Sequence, residues 1–325
     1  MERKTILVTG IGGNVAQGSL RNILSLNLDI YIIGVDISAF TSGNHLCNRT
    51  YIVPYAYDEQ YIPAIKSIIE KEKVDVIIPT TDYEVYYLSL NKATLNVTIA
   101  ASDAEIAKIY LDKYLTYQHH QKLQIPFAQS WLPGEYKNEA RDIIVKPREG
   151  RGSKNIHINP ANPQTFSDEF VIQPLYKGIE ITTAFYVKRD GTLHGLFTME
   201  RELANGATSK SITTKKYDAQ LESIINKMIA TKGLYGSINI QSIVDEQERI
   251  IPFEVNCRIS GTNSIRHNLG FRDVEYTIQE YVLNQQPNPI HAIDGIAVRM
   301  LTDVIYPNAT STDQLNNVTS PHILY

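Results

Sequence analysis

The stretch Ile250–Arg258 reads IIPFEVNCR, and its polar residues alternate with apolar ones. Glu254, Asn256 and Arg258 are two positions apart, so in a β-strand all three side chains project from one face. The pattern therefore predicts a strand that presents two oxygen-bearing side chains and one guanidinium on a single side.

The preceding stretch Gly236–Val244, GSINIQSIV, alternates in the same way. Pairing the two strands through the polar turn between them places Gln241 opposite Glu254 and Asn239 opposite Asn256. Side chains in directly opposite positions of an antiparallel pair are about 5 Å apart at Cβ. The sequence thus predicts a hairpin with a cluster of oxygen donors on one face.

This cluster has the chemistry of a magnesium site. Gln241, Glu254 and Asn256 offer hard oxygen ligands, and Mg²⁺ completes its shell with water and phosphate oxygens. Arg258 is suited to a phosphoryl oxygen. The alternative interpretation is the solvated polar face of an ordinary amphipathic hairpin.

Bulk composition excludes several classes of protein. The chain has 325 residues and a net charge of −4, which gives no general attraction for nucleic acid or anionic lipid. It contains no apolar run of about 20 residues, so we expect no membrane span. The only two cysteines, Cys47 and Cys257, form neither a disulfide framework nor a metal motif, which favours a cytoplasmic protein.

The first hundred residues predict an α/β unit with a parallel sheet. Strands are expected at Thr5–Thr9, Ile30–Val35, Val74–Pro79 and Val97–Ala101, with a helix at Ile62–Lys73 before the third. Strands that alternate with helices are typical of parallel sheets.

The following residues predict α+β structure. We expect one helix over Ser102–Gln124, begun by a capping box of Ser102 and Glu105. The later elements expected are strands at Ile143–Lys146, Asn155–Ile158 and Phe170–Gln173, a hairpin around Arg189–Gly191, a helix at Ala219–Thr231 and a last core strand at Gly295–Asp303. The predicted division is 1–100, 101–176 and 177–325, the last with a peripheral tail.

With these motifs in order, the chain resembles the ATP-grasp superfamily, in particular carboxylate–amine ligases similar to the carbamoyl phosphate synthetase large subunit. FEVNCRISG resembles the metal and phosphate strand of that family. The resemblance implies that Gln241, Glu254 and Asn256 bind Mg²⁺ (or Mn²⁺) and that Arg258 contacts phosphate. It also implies an ATP-grasp fold preceded by a Rossmann-like pre-ATP-grasp domain.

Other segments resemble the nucleotide-binding parts of the family. The resemblance implies phosphate contacts from Lys113 and Lys146, and contact with adenine and ribose near a hinge. The implied ATP-binding residues are Lys113, Lys146, Gly150, Gly152 and Ser153 of the glycine-rich loop, and Gln173, Leu175 and Glu180 of the hinge. The hinge departs from the family at Pro174, where an acid is common.

The charged residues suggest the catalytic set. We expect Arg258, Lys146 and Arg201 to stabilise the transferring phosphoryl group, with Lys210 and Arg266 as further candidates. Asp82 and Glu84 follow a predicted parallel strand, where a substrate amine could contact them; loop polarity explains them equally well.

The function implied by the resemblance is an ADP-forming ligase that joins a small carboxylate to an amine through an acyl phosphate. Members of the family often form homodimers, so a homodimer is the assembly that the resemblance implies. Alternatives are a thiol or other acceptor, or a nucleotide-binding module without catalysis. A third is an NAD-dependent oxidoreductase, since Gly10, Gly13, Ala16 and Asp36 fit a loose dinucleotide fingerprint.

Overall fold

A computed structural model describes residues 3–150, 154–313, 315 and 317–325. The strands are β1 (Lys4–Thr9), β2 (Ile30–Asp36), β3 (Arg49–Ile52), β4 (Val76–Ile78), β5 (Thr98–Ile99), β6 (Ile143–Pro147), β7 (His157–Ile158), β8 (Phe170–Pro174), β9 (Ile179–Val187), β10 (Leu193–Ala204), β11 (Ala207–Thr213), β12 (Gly236–Val244), β13 (Ile250–Asn256), β14 (Ile296–Val298), β15 (Val304–Ile305) and β16 (Ile323–Leu324). The helices are α1 (Asn14–Ser25), α2 (Tyr61–Glu72), α3 (Asp82–Leu90), α4 (Lys92–Leu95), α5 (Ala104–Leu111), α6 (Lys113–Lys122), α7 (Asp218–Ile229), α8 (Asn263–Asn268) and α9 (Asp273–Thr277).

The first sheet is parallel, as predicted, with strand order β3-β2-β1-β4-β5. Its strands are nearly continuous apolar runs because helices cover both faces, and Ile6, Leu7 and Val8 are fully buried. Strand β3 was not predicted, because its sequence RTYI is short and carries exposed residues at both ends.

The second sheet is small and antiparallel, with order β7-β6-β8. It confirms three short strands around a glycine-rich loop. The central strand β6 carries Lys146, and its neighbour β8 leads into the hinge. The predicted strand Asn155–Ile158 is shorter than expected, because only His157 and Ile158 pair with β6.

The third sheet has six antiparallel strands in the order β13-β12-β9-β10-β11-β14. Its buried face packs on α7, where Phe185, Leu221 and Ile238 share one core cluster. Strand β11 was missed by the sequence analysis. It follows a tight turn at Asn205 and Gly206, both with positive φ, and Asn-Gly is the residue pair that such hairpin turns prefer.

The predicted single helix over Ser102–Gln124 is wrong, since α5 ends and α6 begins at Asp112. The Asp112 carboxylate accepts hydrogen bonds from the backbone N–H groups of Tyr114 and Leu115, which caps a new helix. The capping box is wrong too. Asp103 is the N-cap residue of α5, and the Ser102 hydroxyl donates to the carbonyl of Tyr235 instead.

The predicted core strand Gly295–Asp303 is also wrong. Only Ile296–Val298 forms a strand, and it lies at the sheet edge, paired with β11 on one side. Ile296 is 69% exposed, because no further layer covers this edge within the described part of the chain. Among the described residues, no helix is long and apolar enough to cross a membrane.

Candidate nucleotide and metal site

The hairpin of β12 and β13 has the predicted register. Gln241 pairs with Glu254, and Asn239 pairs with Asn256. A bulge follows Gln241, so that the alternation of faces shifts only beyond the polar cluster. The hairpin faces a cleft of about 1340 Å³, which Gln241, Glu254 and Asn256 line.

A directed chain of hydrogen bonds fixes these side chains. Arg201 Nη2 donates to Gln241 Oε1 over 2.6 Å. Gln241 Nε2 donates to Asn256 Oδ1 over 3.1 Å, and Asn256 Nδ2 donates to Glu254 Oε1 over 3.0 Å. Asn239 stands apart from the chain, because its amide oxygen accepts from Thr182 and Ser260.

Two buried lysines lie beside Glu254. Lys113 Nζ is 3.9 Å from Glu254 Oε2, and Lys146 Nζ lies 4.9 Å from the ring centroid of Phe253. Burial and the charge of Lys113 lower the pKa of Lys146 to about 7. Burial acts to raise the pKa of Glu254, but the two lysines outweigh it and this pKa lies below its usual value. The cluster is therefore a partly buried carboxylate flanked by two buried lysines.

The position of Lys113 depends on an ion pair that the sequence analysis missed. Asp112 accepts from both Nε and Nη2 of Arg148, at 3.0 and 2.6 Å to Oδ2. The N–H of Lys113 donates to the carbonyl of Arg148 at 3.0 Å. These contacts tie the start of α6 to the loop after β6. The sequence signal for this ion pair was Asp112 itself, an acid immediately before Lys113 for which no partner was predicted.

Glu180 and Arg201 form a second pair within the cleft region. Arg201 donates to Glu180 Oε1 from Nε at 3.0 Å and from Nη2 at 2.5 Å. Because the same guanidinium also holds Gln241, it joins the predicted ribose-binding acid to the predicted metal ligand. Thr208 on β11 lines the cleft beside them, a residue the sequence analysis did not consider.

Arg258 lines the cleft and pairs with the first residue of α3, the helix that follows β4. Its Nη2 is 2.9 Å from Asp82 Oδ2, and its Nε donates to the same oxygen at 3.0 Å. Glu84, two residues further, accepts from the hydroxyls of Thr9 and Thr81. Both acids line the cleft, where the sequence suggested a substrate amine.

The hinge residues have partners within the chain. Gln173 is buried, and its Nε2 donates to the hydroxyl of Ser130. The N–H of Leu175 donates to the carbonyl of Asp142 at 2.9 Å. That N–H is therefore already used in this structure. Contact of Gln173 and Leu175 with adenine stays a prediction.

The glycine-rich loop is described in part. Gly150 lines the cleft, and its carbonyl accepts from Lys113 Nζ at 3.4 Å. Gly152 and Ser153, for which phosphate contacts were predicted, lie outside the described residues.

Two further candidate cations lie away from the cleft. Lys210 is on the surface, paired with Glu202. Arg266 is fully buried and donates to both oxygens of Asp273, and its Nη1 contacts the hydroxyls of Ser260 and Thr262. Arg266, which does not itself line the cleft, therefore stabilises the conformation of the loop after β13.

The donor set fits Mg²⁺ held together with a nucleotide. Hydrogen bonds join Gln241 to Asn256 and Asn256 to Glu254, so that three oxygen-bearing side chains are neighbours, and all three line the cleft. Within the described residues there is no group of three or more His, Cys, Asp or Glu side chains suited to a metal. One carboxylate flanked by lysines needs the charge of phosphates to hold a divalent cation.

Comparison with protein families finds two matching domain models. Residues 110–262 match the ATP-grasp domain model, and residues 6–100 match the PylC-like N-terminal domain model. The chain thus contains an ATP-grasp domain, preceded by a PylC-like N-terminal domain. No curated protein sequence matches the chain at a significant level.

Solved structures share the fold at low sequence identity. N5-carboxyaminoimidazole synthetase from Staphylococcus aureus, complexed with ADP, is 16% identical with a TM-score of 0.75, over 92% of this chain and 82% of that one. The biotin carboxylase domain dimer of Hydrogenobacter thermophilus 2-oxoglutarate carboxylase, with MgADP and bicarbonate, is 14% identical with a TM-score of 0.71, over 90% and 73%. L-amino acid ligase from Bacillus licheniformis is 11% identical with a TM-score of 0.68, over 87% and 75%. Two of these three structures hold ADP, one of them with magnesium.

Proposed function

We propose that the chain is an ADP-forming carboxylate–amine ligase. The observation that carries the proposal is the register of the hairpin, which sets Gln241 against Glu254 at 3.9 Å from Lys113. This arrangement gives a magnesium nucleotide its oxygen ligands and its phosphate cations in one cleft. When bound, Mg²⁺ would neutralise and orient the phosphates of ATP.

The reaction balances without a protein nucleophile. An oxygen of the substrate carboxylate bonds to the γ-phosphorus, the bond to the β–γ bridging oxygen breaks, and ADP leaves. A neutral amine then bonds to the acyl carbon, and phosphate departs with one amine proton as hydrogen phosphate. Arg258, Arg201 and Lys146 are the residues proposed to stabilise the transferring phosphoryl group, and Lys113 to hold the nucleotide phosphates.

The burial of both cysteines favours an acyl acceptor that belongs to a substrate and not to the protein. Cys47 and Cys257 are both buried, and burial raises the pKa of both thiols, that of Cys47 to about 12. A thiol in this state is a poor nucleophile at neutral pH. An acyl group transferred to the protein itself would therefore have no cysteine to receive it.

The test is ADP release across pairs of small carboxylates and amines, followed by isotope transfer. A carboxylate labelled with ¹⁸O should deliver one ¹⁸O to the released phosphate, because the attacking oxygen stays on phosphorus. Release of AMP and diphosphate, or phosphate without label, would contradict the acyl phosphate. ADP release that requires a thiol, whatever the amine, would instead identify the alternative acceptor.

A further inference from the structure

Three tyrosines form an open aromatic surface on the N-terminal side of the cleft. The rings of Tyr55 and Tyr57 are parallel with centroids 5.3 Å apart, and Tyr83 packs edge-on against Tyr57 at 5.8 Å. Tyr55 and Tyr57 are 46% and 58% exposed, although all three line the cleft. Large aromatic side chains contribute most of their stabilising area when buried, so this exposure leaves ring faces available to a ligand. We call these three residues the tyrosine face.

The tyrosine face stands at the ligand-binding edge of the first sheet. Tyr55 and Tyr57 follow β3, and Tyr83 follows β4, while the cleft-lining Asp36 ends β2. All of them therefore lie beyond the carboxyl ends of parallel strands. In open α/β sheets, ligands bind in the crevice outside these ends. The surface belongs to the same cleft as the hairpin, and its Tyr83 also lines a smaller pocket together with Lys113, Glu254 and Asn256.

The positive charges that line the cleft all come from the later part of the chain. Among the described cleft-lining residues, those numbered 10 to 84 include three carboxylates, Asp36, Asp82 and Glu84, and neither lysine nor arginine. The later segments bring basic and acidic side chains together: Arg148, Lys154, Arg201 and Arg258, with Asp112, Glu149, Asp168, Glu169 and Glu254. The cations suited to phosphates thus lie in the later segments, and the residues around the tyrosine face contribute negative charge without a cation of their own.

The carboxylates near the tyrosine face are held by neutral groups as well as by one cation. Asp36 accepts from the backbone N–H groups of Gly12 and Ser38, and these contacts orient its charge without cancelling it. Asp82 is paired with Arg258. The quadrupole of a tyrosine ring adds negative potential above its face. A positively charged ligand group is therefore favoured there over a neutral one.

From this arrangement we propose that the tyrosine face binds the cationic, ammonium-bearing substrate, with Tyr55, Tyr57 and Tyr83 contacting the cation or its alkyl chain. An ammonium over a ring face gains cation–π attraction, and Asp36 adds charge complementarity. The inference rests on the proposed ligase function and deepens it, because it assigns the amine substrate to the tyrosine face. The bound ammonium gives one proton to solvent before the neutral amine bonds to the acyl carbon. The carboxylate and the nucleotide are then held by the cations of the later segments.

The direct test measures binding without catalysis. The nucleotide-free protein is titrated with n-butylammonium, 1-butanol and benzyl alcohol. Binding of each compound is measured by saturation-transfer NMR and by calorimetry. We expect n-butylammonium to bind at least several-fold more tightly than 1-butanol. Tyr57→Leu should weaken this binding by about two- to fivefold, and Tyr57→Phe should retain it, because the ring and not the hydroxyl makes the contact.

Matched controls distinguish the loss of a tyrosine-face ring from the general effect of replacing an exposed tyrosine. Tyr325→Leu removes an exposed tyrosine outside the cleft and should leave binding unchanged. Melting temperatures of all variants should agree, since Tyr57 is exposed. Equal binding of 1-butanol, tighter binding of benzyl alcohol, or unchanged binding in Tyr57→Leu would overturn the inference.

The inference and the proposed function fail separately. A protein that binds n-butylammonium at the tyrosine face but releases no ADP with any pair of substrates keeps the subsite and refutes the ligase. A protein that releases ADP with amines whose KM is unchanged in Tyr57→Leu keeps the ligase and refutes the subsite. Support for both requires a raised KM for the amine with an unchanged KM for ATP.

Discussion

Arg201 donates from one nitrogen, Nη2, both to Glu180 at 2.5 Å and to Gln241 at 2.6 Å. One guanidinium therefore orients an acid proposed for the ribose and an amide proposed for the metal. The planar fork of arginine is suited to this double contact, whereas the single ammonium of lysine is not. Arg201 thus acts as a positioning residue whatever direct contact it makes with phosphate.

We expect Arg201→Met to weaken ATP binding and ADP release by about 10- to 100-fold, as is usual when a residue that orients a ligand group is lost. Lys210→Met is the matched control, since Lys210 lies on the neighbouring strand. Among the described residues its ion pair is with Glu202 on the surface. Calorimetric ATP titration of both variants measures the effect. Equal affinities for the two variants would show that the Arg201 contacts are not used.

Removing the charge of Glu254 should abolish ADP formation, with a loss of at least about a hundredfold, because this side chain is the only carboxylate in the proposed ligand set. Glu254→Gln keeps the shape of the side chain, so the fold should persist. Surface Glu202→Gln is the control. Wild-type turnover in Glu254→Gln would contradict the metal assignment.

The same cluster predicts how the metal binds. Because Lys113 lies 3.9 Å from the single carboxylate, Mn²⁺ should bind weakly to the protein alone and tightly with ATP. Electron paramagnetic resonance of Mn²⁺ with and without a non-hydrolysable ATP analogue measures both states. Tight binding of Mn²⁺ without nucleotide would be the contrary result.

ATP affinity should fall as the pH rises above 7. The pKa of Lys146 is lowered to about 7 by burial and by Lys113, so the lysine loses its proton above that pH unless phosphate stabilises the charge. From pH 7 to 9 the weakening should approach about tenfold per pH unit, with proton uptake on binding. Calorimetry in two buffers at pH 8 measures the uptake. Lys146→Arg should remove this pH dependence; the same slope in that variant would contradict the assignment.

Acid should destabilise the fold through His120. Burial lowers the pKa of this histidine to about 4, from an unfolded value of about 6.5. The unfolded chain therefore takes up a proton before the folded chain does, and stability falls as the pH drops from 6.5 to 4, by about 3 kcal/mol in total. Urea unfolding of wild type and His120→Gln at pH 7, 6 and 5 should show a flatter dependence in the variant. Exposed His291→Gln should behave as wild type.

The local pattern of the hairpin was sufficient to predict its geometry. A strand alternates its faces with a period of two, so the spacing of Glu254 and Asn256 and the short turn before them left one register that joins polar to polar. The parallel sheet followed in the same way from apolar strands separated by helices. Predictions failed where a single side chain decided the outcome, as when Asp112 divided one helix into two.

The sequence by itself determined which residues are hard oxygen donors, which strands alternate, and where the nucleotide-binding motifs stand in order. Only the tertiary structure decided that Arg201 joins Glu180 to Gln241, that Arg258 pairs with Asp82, and that three tyrosines line the same cleft as the hairpin. The physical reason is distance along the chain. A strand or helix period extends over a few residues, whereas Arg258 and Asp82 are 176 positions apart and meet only when separate sheets pack together.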